Sequence, residues 1–326
     1  LEELNQGGGQ YKLFYNSAKK IEDRLPEFNF PNVEAQNFGY PNKIFNYLFQ
    51  KTLKYPKIDK KLGVDVFLMP HINFAALSQA CPSILTVHDI SFLRYPEFFS
   101  SRKNLWHSLI NVKKMINSFD LIISVSENTK QDIMEICGTK ENKIQVIYPG
   151  IDHTIYKQLD KDPYLNTVKE KYGLNDDFIL YVGTLEPRKN IEGLIRAFDI
   201  YSERTDSSDQ ELVIAGGRGW KSEQIIKTWE STKNKNNIKF LGYIPKEDKP
   251  YLYNLASFFV YPSFYEGFGF PPLEAMACGT PVLTSSASSL SEVVGNSAVL
   301  VNPYNTRKIA HYLEQLTKEE GEKQEL

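Results

Sequence analysis

Residues 257–283 read S-F-F-V-Y-P-S-F-Y-E-G-F-G-F-P-P-L-E-A-M-A-C-G-T-P-V-L, and this segment decides the fold. Its apolar start predicts a strand over residues 258–261, and the glycines and prolines that follow predict a turn and then a helix. We expect the helix to open near Pro271, because the amide that proline lacks is unbonded in a first helical turn. Gly279 is expected to end this helix, and a second strand is expected from Pro281.

Two carboxylates lie in this segment, one on each side of the predicted helix start. Glu266 falls in the turn, where Gly267 and Gly269 allow the backbone to approach a ligand closely. Glu274 lies about one turn into the helix and can face the same crevice. Two carboxylates, a glycine turn and a helix N-terminus after a strand predict a binding site and not a core element.

Length and composition indicate a soluble protein of about two domains. The chain has 326 residues, 41% of them hydrophobic and 24% charged, and its net charge is −2. This balance argues against a nucleic-acid partner. Cys81, Cys137 and Cys278 are far apart in apolar surroundings, which predicts buried thiols in a reducing compartment. No apolar run is long enough to span a membrane and no signal peptide is visible, so we expect a cytoplasmic protein, with the inner face of the membrane as an open alternative.

Short apolar runs alternate with segments of helical period along the chain, which predicts parallel sheets covered by helices. The irregular, polar residues 151–176 are the best linker candidate, so domains are expected at residues 1–160 and 161–326. The predicted strands are 11–15, 64–69, 83–87, 121–125, 143–147, 178–182, 211–214, 238–241, 258–261 and 282–284. The predicted helices are 43–54, 103–117, 127–136, 165–172, 191–202, 222–232, 246–254, 271–277 and 305–317. Residues 1–4 look like the last turn of a helix, and we expect the chain to lack a first β-α piece and a last helix.

The second domain opens with Y-V-G-T-L-E-P-R-K-N-I at residues 181–191. A strand ends at Gly183, and Arg188 and Lys189 stand at the entry of the next helix. Ligands of open α/β sheets bind beyond the carboxyl ends of the strands, where two cations can neutralise a diphosphate. A solvated basic pair is the simpler interpretation, but positive charge is disfavoured beside a helix N-terminus. The placement therefore favours a phosphate site.

Three further positions follow predicted strands. Gly216 ends the strand 211–214, which is a weak signal because glycine pairs end many strands. Tyr243 and Ile244, in F-L-G-Y-I-P, could pack against a nucleobase, but an ordinary turn between strand and helix would look the same. His88 follows the strand 83–87 and would point toward a ligand held between two domains.

These motifs together resemble the retaining family-4 glycosyltransferases. The run E-G-F-G-F-P-P-L-E-A-M-A-C-G-T-P-V (266–282) is the most specific signature, and it follows the Arg-Lys pair by about eighty residues. V-H-D-I-S-F-L-R-Y-P-E-F-F (87–99) and Y-P-G-I-D (148–152) are similar to the acceptor-domain and hinge motifs of that family. The resemblance covers essentially the whole chain.

The resemblance implies a GT-B architecture, in which two Rossmann-like domains face each other across a cleft. The first domain would bind the acceptor and the second the nucleotide sugar. The implied catalytic residues are His88, Glu266, Arg188 and Lys189. The implied donor-binding residues are Gly183, Gly216, Tyr243, Ile244, Gly267, Phe268, Gly269 and Glu274. Within these sets Arg188 and Lys189 would hold the diphosphate, Glu274 the ribose, Glu266 the sugar, and Tyr243-Ile244 the base.

The expected reaction is the transfer of a hexose from a nucleotide sugar to a glycan or lipid-linked acceptor in cell-surface polysaccharide synthesis. The V-H-D-I-S-F run looks most like mannosyltransferases, so GDP-mannose is the favoured donor and UDP-glucose the second. No metal is expected, because the Asp-x-Asp at residues 160–162 lies in the polar linker. A nucleotide-binding protein of this family without turnover is the alternative. A dinucleotide-dependent oxidoreductase is disfavoured, since no G-x-G-x-x-G follows a strand.

A lysine-rich stretch at residues 43–61 leaves one further partner open. Its lysines lie beside Ile44, Tyr47, Leu48 and Leu53, and this mixture is compatible with contact to an anionic membrane. A solvated charged face has the same pattern. Both interpretations stand at the level of the sequence.

Overall fold

A computed structural model describes residues 8–19, 30–101, 111–205 and 210–324. The chain divides into two compact units, one of Leu1–Val87 with Ile110–Ile123, the other of His88–Leu109 with Ser124–Leu326. The predicted helix end at residues 1–4 lies outside the described residues, as does most of the predicted helix 103–117.

The elements alternate between strand and helix for most of the chain. Up to residue 160 they are β1 (Tyr11–Tyr15), β2 (Val33–Asn37), α1 (Ile44–Leu53, a π-helix), α2 (Ile58–Leu62), β3 (Phe67–Met69), β4 (Ser83–Val87), α3 (Ser91–Arg94), α4 (Val112–Ser118), β5 (Leu121–Ser124), α5 (Glu127–Cys137) and β6 (Ile144–Val146). Beyond it they are α6 (Tyr164–Tyr172), β7 (Phe178–Val182), α7 (Ile191–Thr205), β8 (Glu211–Ala215), α8 (Glu223–Ser231), β9 (Ile238–Gly242), α9 (Lys249–Leu255), β10 (Phe258–Tyr261), α10 (Phe270–Ala277), β11 (Val282–Ser285), α11 (Leu290–Val294), β12 (Val299–Val301) and α12 (Thr306–Gln324).

The first unit contains a parallel β1–β2 pair and, separately, β3, β4 and β5 side by side in one sheet. Phe14, Phe38 and Phe45 pack with ring centroids 4.4 to 5.9 Å apart and supply part of its core. The Asn-rich stretch after β1 was not predicted to contain a strand, and β2 shows that this was wrong. The predicted strand 64–69 is also shorter, because only Phe67–Met69 pairs with β4.

The second unit is built on a six-stranded sheet in the order β12-β11-β10-β7-β8-β9, with every described pairing parallel. The chain runs outward from β7 to β9 and then returns to β10 on the other side of β7. The strand order therefore reverses between β7 and β10, and open α/β sheets bind ligands beyond the carboxyl ends of the strands at such a point. All residues of both strands are buried, as their continuous apolar sequences predict.

Helices cover this sheet with one apolar face each. In α7, the buried Ile191, Leu194, Ile195 and Phe198 recur at the spacing of one helix face. Burying each such side chain contributes about 1.5–3 kcal/mol. In α10, proline occupies the first turn and Gly269 precedes the helix, so the helix begins where the sequence predicts.

The polar stretch 151–176 packs against α9. Asn254 Oδ1 accepts a hydrogen bond from the Leu159 amide at 2.8 Å. Asp248, which is 1% exposed, accepts bonds from Lys171 Nζ at 2.5 Å and Tyr172 Oη at 2.6 Å. The carboxylate of Asp248 therefore fixes α6 to the second unit, and the expected division at residue 160 stays a prediction.

Candidate active site

The loops after β7 and β10 meet where the strand order reverses. Arg188 lies in a short turn after β7, and its Nη1 donates to Glu266 Oε2 at 2.8 Å and to the Tyr265 carbonyl at 2.7 Å. Lys189 Nζ lies 2.6 Å from Glu266 Oε1. One carboxylate therefore holds two cations that sequence reasoning assigned to a ligand.

Burial strengthens the attraction between the Glu266 carboxylate and its two cations. Glu266 is 6% exposed and Lys189 8%. Burial by itself would raise the pKa of Glu266, but the charges of Lys189 and Arg188 outweigh it and lower that pKa to about 2. Burial also lowers the pKa of Lys189, against the attraction of Glu266. The carboxylate is ionised at neutral pH and bound to both cations.

Glu186 is a second counter-ion, which sequence reasoning missed. Its Oε1 accepts from Arg188 Nε at 3.1 Å and Nη2 at 2.9 Å. Burial raises the pKa of Glu186, and the charge of Arg188 opposes that rise. Together with the bonds to Tyr265 and Glu266, four of the five N–H groups of Arg188 are engaged. Glu186 could have been found from the sequence L-E-P-R-K, because a carboxylate two residues before Arg188 is close enough to pair with it.

Aromatic rings pack beside Lys189. Its Nζ donates to Tyr261 Oη at 2.6 Å, and the Tyr261 ring stacks on Tyr181 and Phe259 with centroids 5.7 and 5.9 Å apart. The Tyr181 hydroxyl is buried and has no hydrogen-bond partner among the described residues. A Cβ at Gly183 would lie 2.7 Å from this hydroxyl, so the glycine gives it room.

Glycines bring the ends of β7, β8 and β9 together. Gly216 has φ +154°, and a Cβ there would lie 1.9 Å from the Gly183 carbonyl oxygen. The Gly216 amide donates to the Gly242 carbonyl at 2.7 Å. Tyr243 and Ile244 follow directly, and Tyr243 is 75% exposed while Ile244 packs against the core. The structure thus places Gly183, Gly216 and the Tyr243-Ile244 pair along one edge of the sheet.

The turn that contains Glu266 is bound by neighbours on both sides. The Gly267 carbonyl accepts from Ser126 Oγ at 2.7 Å and from Thr129 Oγ1 at 3.1 Å. A Cβ on Gly267 would lie 1.9 Å from the His88 carbonyl, so the backbone of His88 lies directly against this turn. Gly269 has φ +117°, and its neighbour Phe268 is buried. The backbone of His88 is thus brought to the Glu266 turn, and its expected role toward a ligand stays a prediction.

Glu274 has partners of its own. Its Oε2 accepts from Tyr253 Oη at 2.8 Å and lies 2.5 Å from Lys249 Nζ. The residue is 7% exposed. Burial, reinforced by the charge of Glu274, raises the pKa of Tyr156. Lys249 was missed because nothing in the sequence links it to a carboxylate twenty-five residues further on.

Comparison with known proteins assigns this arrangement to a family. The family model described as "Glycosyltransferase Family 4" matches residues 1–155, and "Glycosyl transferases group 1" matches residues 166–326. An uncharacterized glycosyltransferase of Methanocaldococcus jannaschii is 30% identical over 307 residues, which are 88% of this chain and 76% of that protein. The chain belongs to glycosyltransferase family 4.

Mannosyltransferases are among the similar family members. The Escherichia coli O-antigen chain mannosyltransferase B is 35% identical over 254 residues, which cover 77% of this chain and 63% of the relative. The E. coli serotype-specific mannosyltransferase WbdA is 29% identical over 75% of this chain. This chain spans about 30% of the length of WbdA and under two thirds of mannosyltransferase B.

Solved structures confirm the GT-B fold expected for a family-4 glycosyltransferase. Sucrose-phosphate synthase from Thermosynechococcus elongatus superimposes with a TM-score of 0.73 at 19% identity, over 98% of this chain and 82% of that one. Anabaena HepE in complex with UDP-glucose superimposes with a TM-score of 0.66 at 18% identity, over 95% of this chain and 90% of that one. At these identities the likeness establishes the fold alone.

Cys81, Cys137 and Cys278 are buried, as predicted. Within the described ranges, no three His, Cys, Asp or Glu side chains converge in a way that could hold a metal ion. None of the helices in the described parts of the chain combines the length and the apolar character needed to cross a bilayer.

Proposed function

We propose that this chain transfers a hexose from a nucleotide sugar to a glycan or lipid-linked acceptor in cell-surface polysaccharide synthesis. One observation carries the proposal. Arg188, Lys189 and Glu266 form a buried cluster at the strand-order reversal of a family-4 glycosyltransferase. Mannose is the proposed sugar and GDP-mannose the proposed donor, because O-antigen mannosyltransferases are similar over three quarters of the chain. UDP-glucose is the second donor, since HepE is known with UDP-glucose bound.

Stabilisation of the leaving diphosphate by positive charge is the proposed basis of catalysis. Breaking the bond between sugar and diphosphate leaves negative charge on the leaving group, and cations fixed beforehand stabilise that charge without reorganising. Arg188 and Lys189 are such cations, because Glu266, Glu186 and the Tyr265 carbonyl hold them in place. We propose that they meet the diphosphate without a metal. Glu266 would release part of its hold when the donor enters and would then bind the sugar.

The remaining roles are proposed along the same sheet edge. Gly183 and Gly216 bring the loops after β7 and β8 close together, and we propose that the backbone there meets the diphosphate. Tyr243 and Ile244 are proposed to pack on the base. Glu274 is proposed to hold the ribose, with Lys249 and Tyr253 fixing its carboxylate. His88 and the turn of Gly267, Phe268 and Gly269 complete the donor site. The proposed stereochemistry is retention of configuration.

The test is transfer by the purified chain from labelled GDP-mannose and UDP-glucose to a lipid-linked glycan acceptor, with NMR of the new anomeric centre. We expect transfer from GDP-mannose with retention, and a loss of about a hundredfold or more in Arg188→Ala. The exposed Glu247→Gln serves as the control. Transfer that is unaffected by Arg188→Ala would refute the site. GDP binding by calorimetry without any product would instead favour the alternative, a nucleotide-binding member of the family without turnover.

We further propose a peripheral contact of the first unit with anionic lipid. Ile44 and Leu48 lie one turn apart on α1 and are 47% and 49% exposed, and Leu53 at its end is 59% exposed. Lys54 and Lys60 are exposed nearby, whereas the Lys61 ammonium packs on the Phe38 ring at 3.8 Å. Apolar side chains flanked by lysines suit an anionic interface.

Co-sedimentation with lipid vesicles distinguishes a membrane contact from a solvated charged face. We expect binding to phosphatidylglycerol vesicles but not to phosphatidylcholine vesicles, and loss of binding in Leu48→Glu. Lys60→Glu should weaken binding less, because one surface lysine contributes about 1 kcal/mol. Equal sedimentation of the wild type and Leu48→Glu would contradict the contact and leave the solvated face.

A further inference from the structure

A buried carboxylate, that of Asp132, lies beside the Glu266 turn. It pairs with Arg94, whose side chain is 36% exposed and also binds Glu135 Oε2 at 2.6 Å. Asp132, on α5, is 3% exposed. Its Oδ1 lies 2.9 Å from Arg94 Nη1, and its Oδ2 accepts from Tyr265 Oη at 2.5 Å. Tyr265 is itself 2% exposed. One oxygen of the Asp132 carboxylate therefore binds the Arg94 guanidinium, and the other binds the Tyr265 hydroxyl.

Tyr265 connects this pair to the candidate active site. Its carbonyl oxygen accepts from Arg188 Nη1 at 2.7 Å, and the next residue is Glu266. One end of Tyr265 is thus bound to Asp132 and the other to the cation that faces the proposed diphosphate. The Tyr95 ring packs on the Tyr265 ring with centroids 5.5 Å apart, so the side chain is held from a second side.

The rest of α5 binds the same turn. Ser126 caps the helix, and both Ser126 and Thr129 reach the Gly267 carbonyl. The helix N-terminus is held in turn by the Glu292 carboxylate, which accepts from the amides of Glu127 and Asn128 at 2.7 and 3.1 Å. Residues 265–267 are therefore fixed at both ends by one helix, through side chains more than 130 residues away in sequence.

Packing alone does not account for a carboxylate at this place. A buried charge is costly to desolvate, and an apolar side chain would fill the same volume without that cost. Burial acts against ionisation of Asp132 and raises its pKa, while the bonds from Tyr265 and Arg94 act in the opposite direction. What the carboxylate supplies is a directional bond to Tyr265, whose carbonyl accepts from Arg188.

We infer that Asp132, held by Arg94, is a positioning residue that acts through Tyr265 to fix Arg188 and Glu266 for transfer. It touches neither donor nor acceptor. The inference rests on the proposed transfer function. A positioning loss should lower kcat more than it raises KM, because the cations remain present but are no longer aligned with the developing charge.

The experiment compares Asp132→Asn, Tyr265→Phe and the double variant with wild type in full steady-state kinetics. We expect each single variant to lose about tenfold in kcat, with KM for the nucleotide sugar within about twofold. The double variant should lose no more than the larger of the two single losses, because Asp132→Asn weakens and Tyr265→Phe removes the same bond. Glu247→Gln is the control, since it makes the same carboxylate-to-amide change at an exposed side chain.

Wild-type kcat in both single variants would overturn the inference, as would losses that multiply to about a hundredfold in the double variant. A loss in kcat that equals the fraction of unfolded protein at the assay temperature, measured by thermal denaturation, would also overturn it, because the loss would then reflect stability alone.

Hydrogen exchange is a readout independent of turnover. The amides of residues 264–268 should exchange at least tenfold faster in Asp132→Asn, while those of β7 and β8 stay unchanged. Unchanged exchange at 264–268 refutes the inference even if the chain transfers no sugar, and absence of transfer by the wild type refutes the proposed function separately.

Discussion

The carboxylate of Glu266 is bound by Arg188 and Lys189 at the same time, and this pairing changes what each residue can do. The sequence predicts the residue types and their place after β7 and β10, since charged residues after strands at a ligand edge are a local signal. It does not predict the pairing, because Arg188 and Glu266 are 78 residues apart. A donor bound as proposed would therefore compete with Glu266 for these cations.

Glu266→Gln tests that competition. The neutral amide still occupies the turn but binds the cations more weakly, so GDP should bind as tightly as in wild type or more tightly. Transfer should fall by about a hundredfold, since the variant lacks the carboxylate that places the cations and the sugar. Calorimetry with GDP and a transfer assay measure the two quantities. A GDP affinity that falls as far as in Arg188→Ala, or a wild-type rate of transfer, would contradict the competition.

The same carboxylate predicts a pH dependence of stability. Its pKa is about 2 in the folded chain and 4.5 ordinarily, so its contribution is complete above about pH 4.5 and is lost as the pH falls toward 2. The difference in unfolding free energy between wild type and Glu266→Gln should be on the order of 3 kcal/mol at pH 6 and shrink below pH 4. Urea unfolding across this range measures it, and a difference that stays constant down to pH 3 would disprove the assignment.

At the scale of elements, close approach of backbones shapes the ligand edge. The loops after β7 and β8 bond to each other, with the Leu185 amide donating to the Gly217 carbonyl and the Gly219 amide to the Leu185 carbonyl, both at 3.0 Å. Gly216 lies against the Gly183 carbonyl at the start of this contact. The glycine pair after β8 is a weak signal in the sequence, but in the structure its first residue, Gly216, lies where a side chain would collide with the Gly183 carbonyl.

Neighbouring glycines provide a matched test of that position. A Cβ at Gly216 would lie 1.9 Å from the Gly183 carbonyl at φ +154°, whereas a Cβ at Gly217 meets nothing within 4 Å. We expect Gly216→Ala to cost about 2 kcal/mol or more and to weaken GDP binding, with Gly217→Ala close to wild type. Thermal denaturation and calorimetry provide the readouts. Equal behaviour of the two variants would show that the close approach does not matter.

The sequence predicts elements best where they are buried on both faces. β7 and β10 have the predicted bounds, because continuous aromatic and β-branched runs leave little alternative to a central strand. β2 was missed because V-E-A-Q-N is short and polar and gains its strand structure only from pairing with β1. The helix α11 and the strand β12 were missed for the same reason of length, since neither exceeds five residues.

At the scale of the whole molecule, the sequence predicts the family and the fold correctly. It does not predict which side chains bind the site residues. Glu186, Lys249 and Asp132 each bind a predicted or neighbouring site residue, but only Glu186 is close in sequence to its partner. Contacts between distant segments carry no local pattern, so they become visible only in the folded chain. The central claim is that Arg188 and Lys189 receive the diphosphate of a nucleotide sugar.

Calorimetric titration of the wild type and Arg188→Ala with GDP, and in parallel with guanosine, tests that claim most directly. A lost bond to a charged group corresponds to about a 10- to 100-fold change in affinity. We predict a loss of that size for GDP in Arg188→Ala and no change for guanosine, which lacks the diphosphate. Equal GDP affinity in the two proteins, or an equal loss for GDP and guanosine, would contradict it.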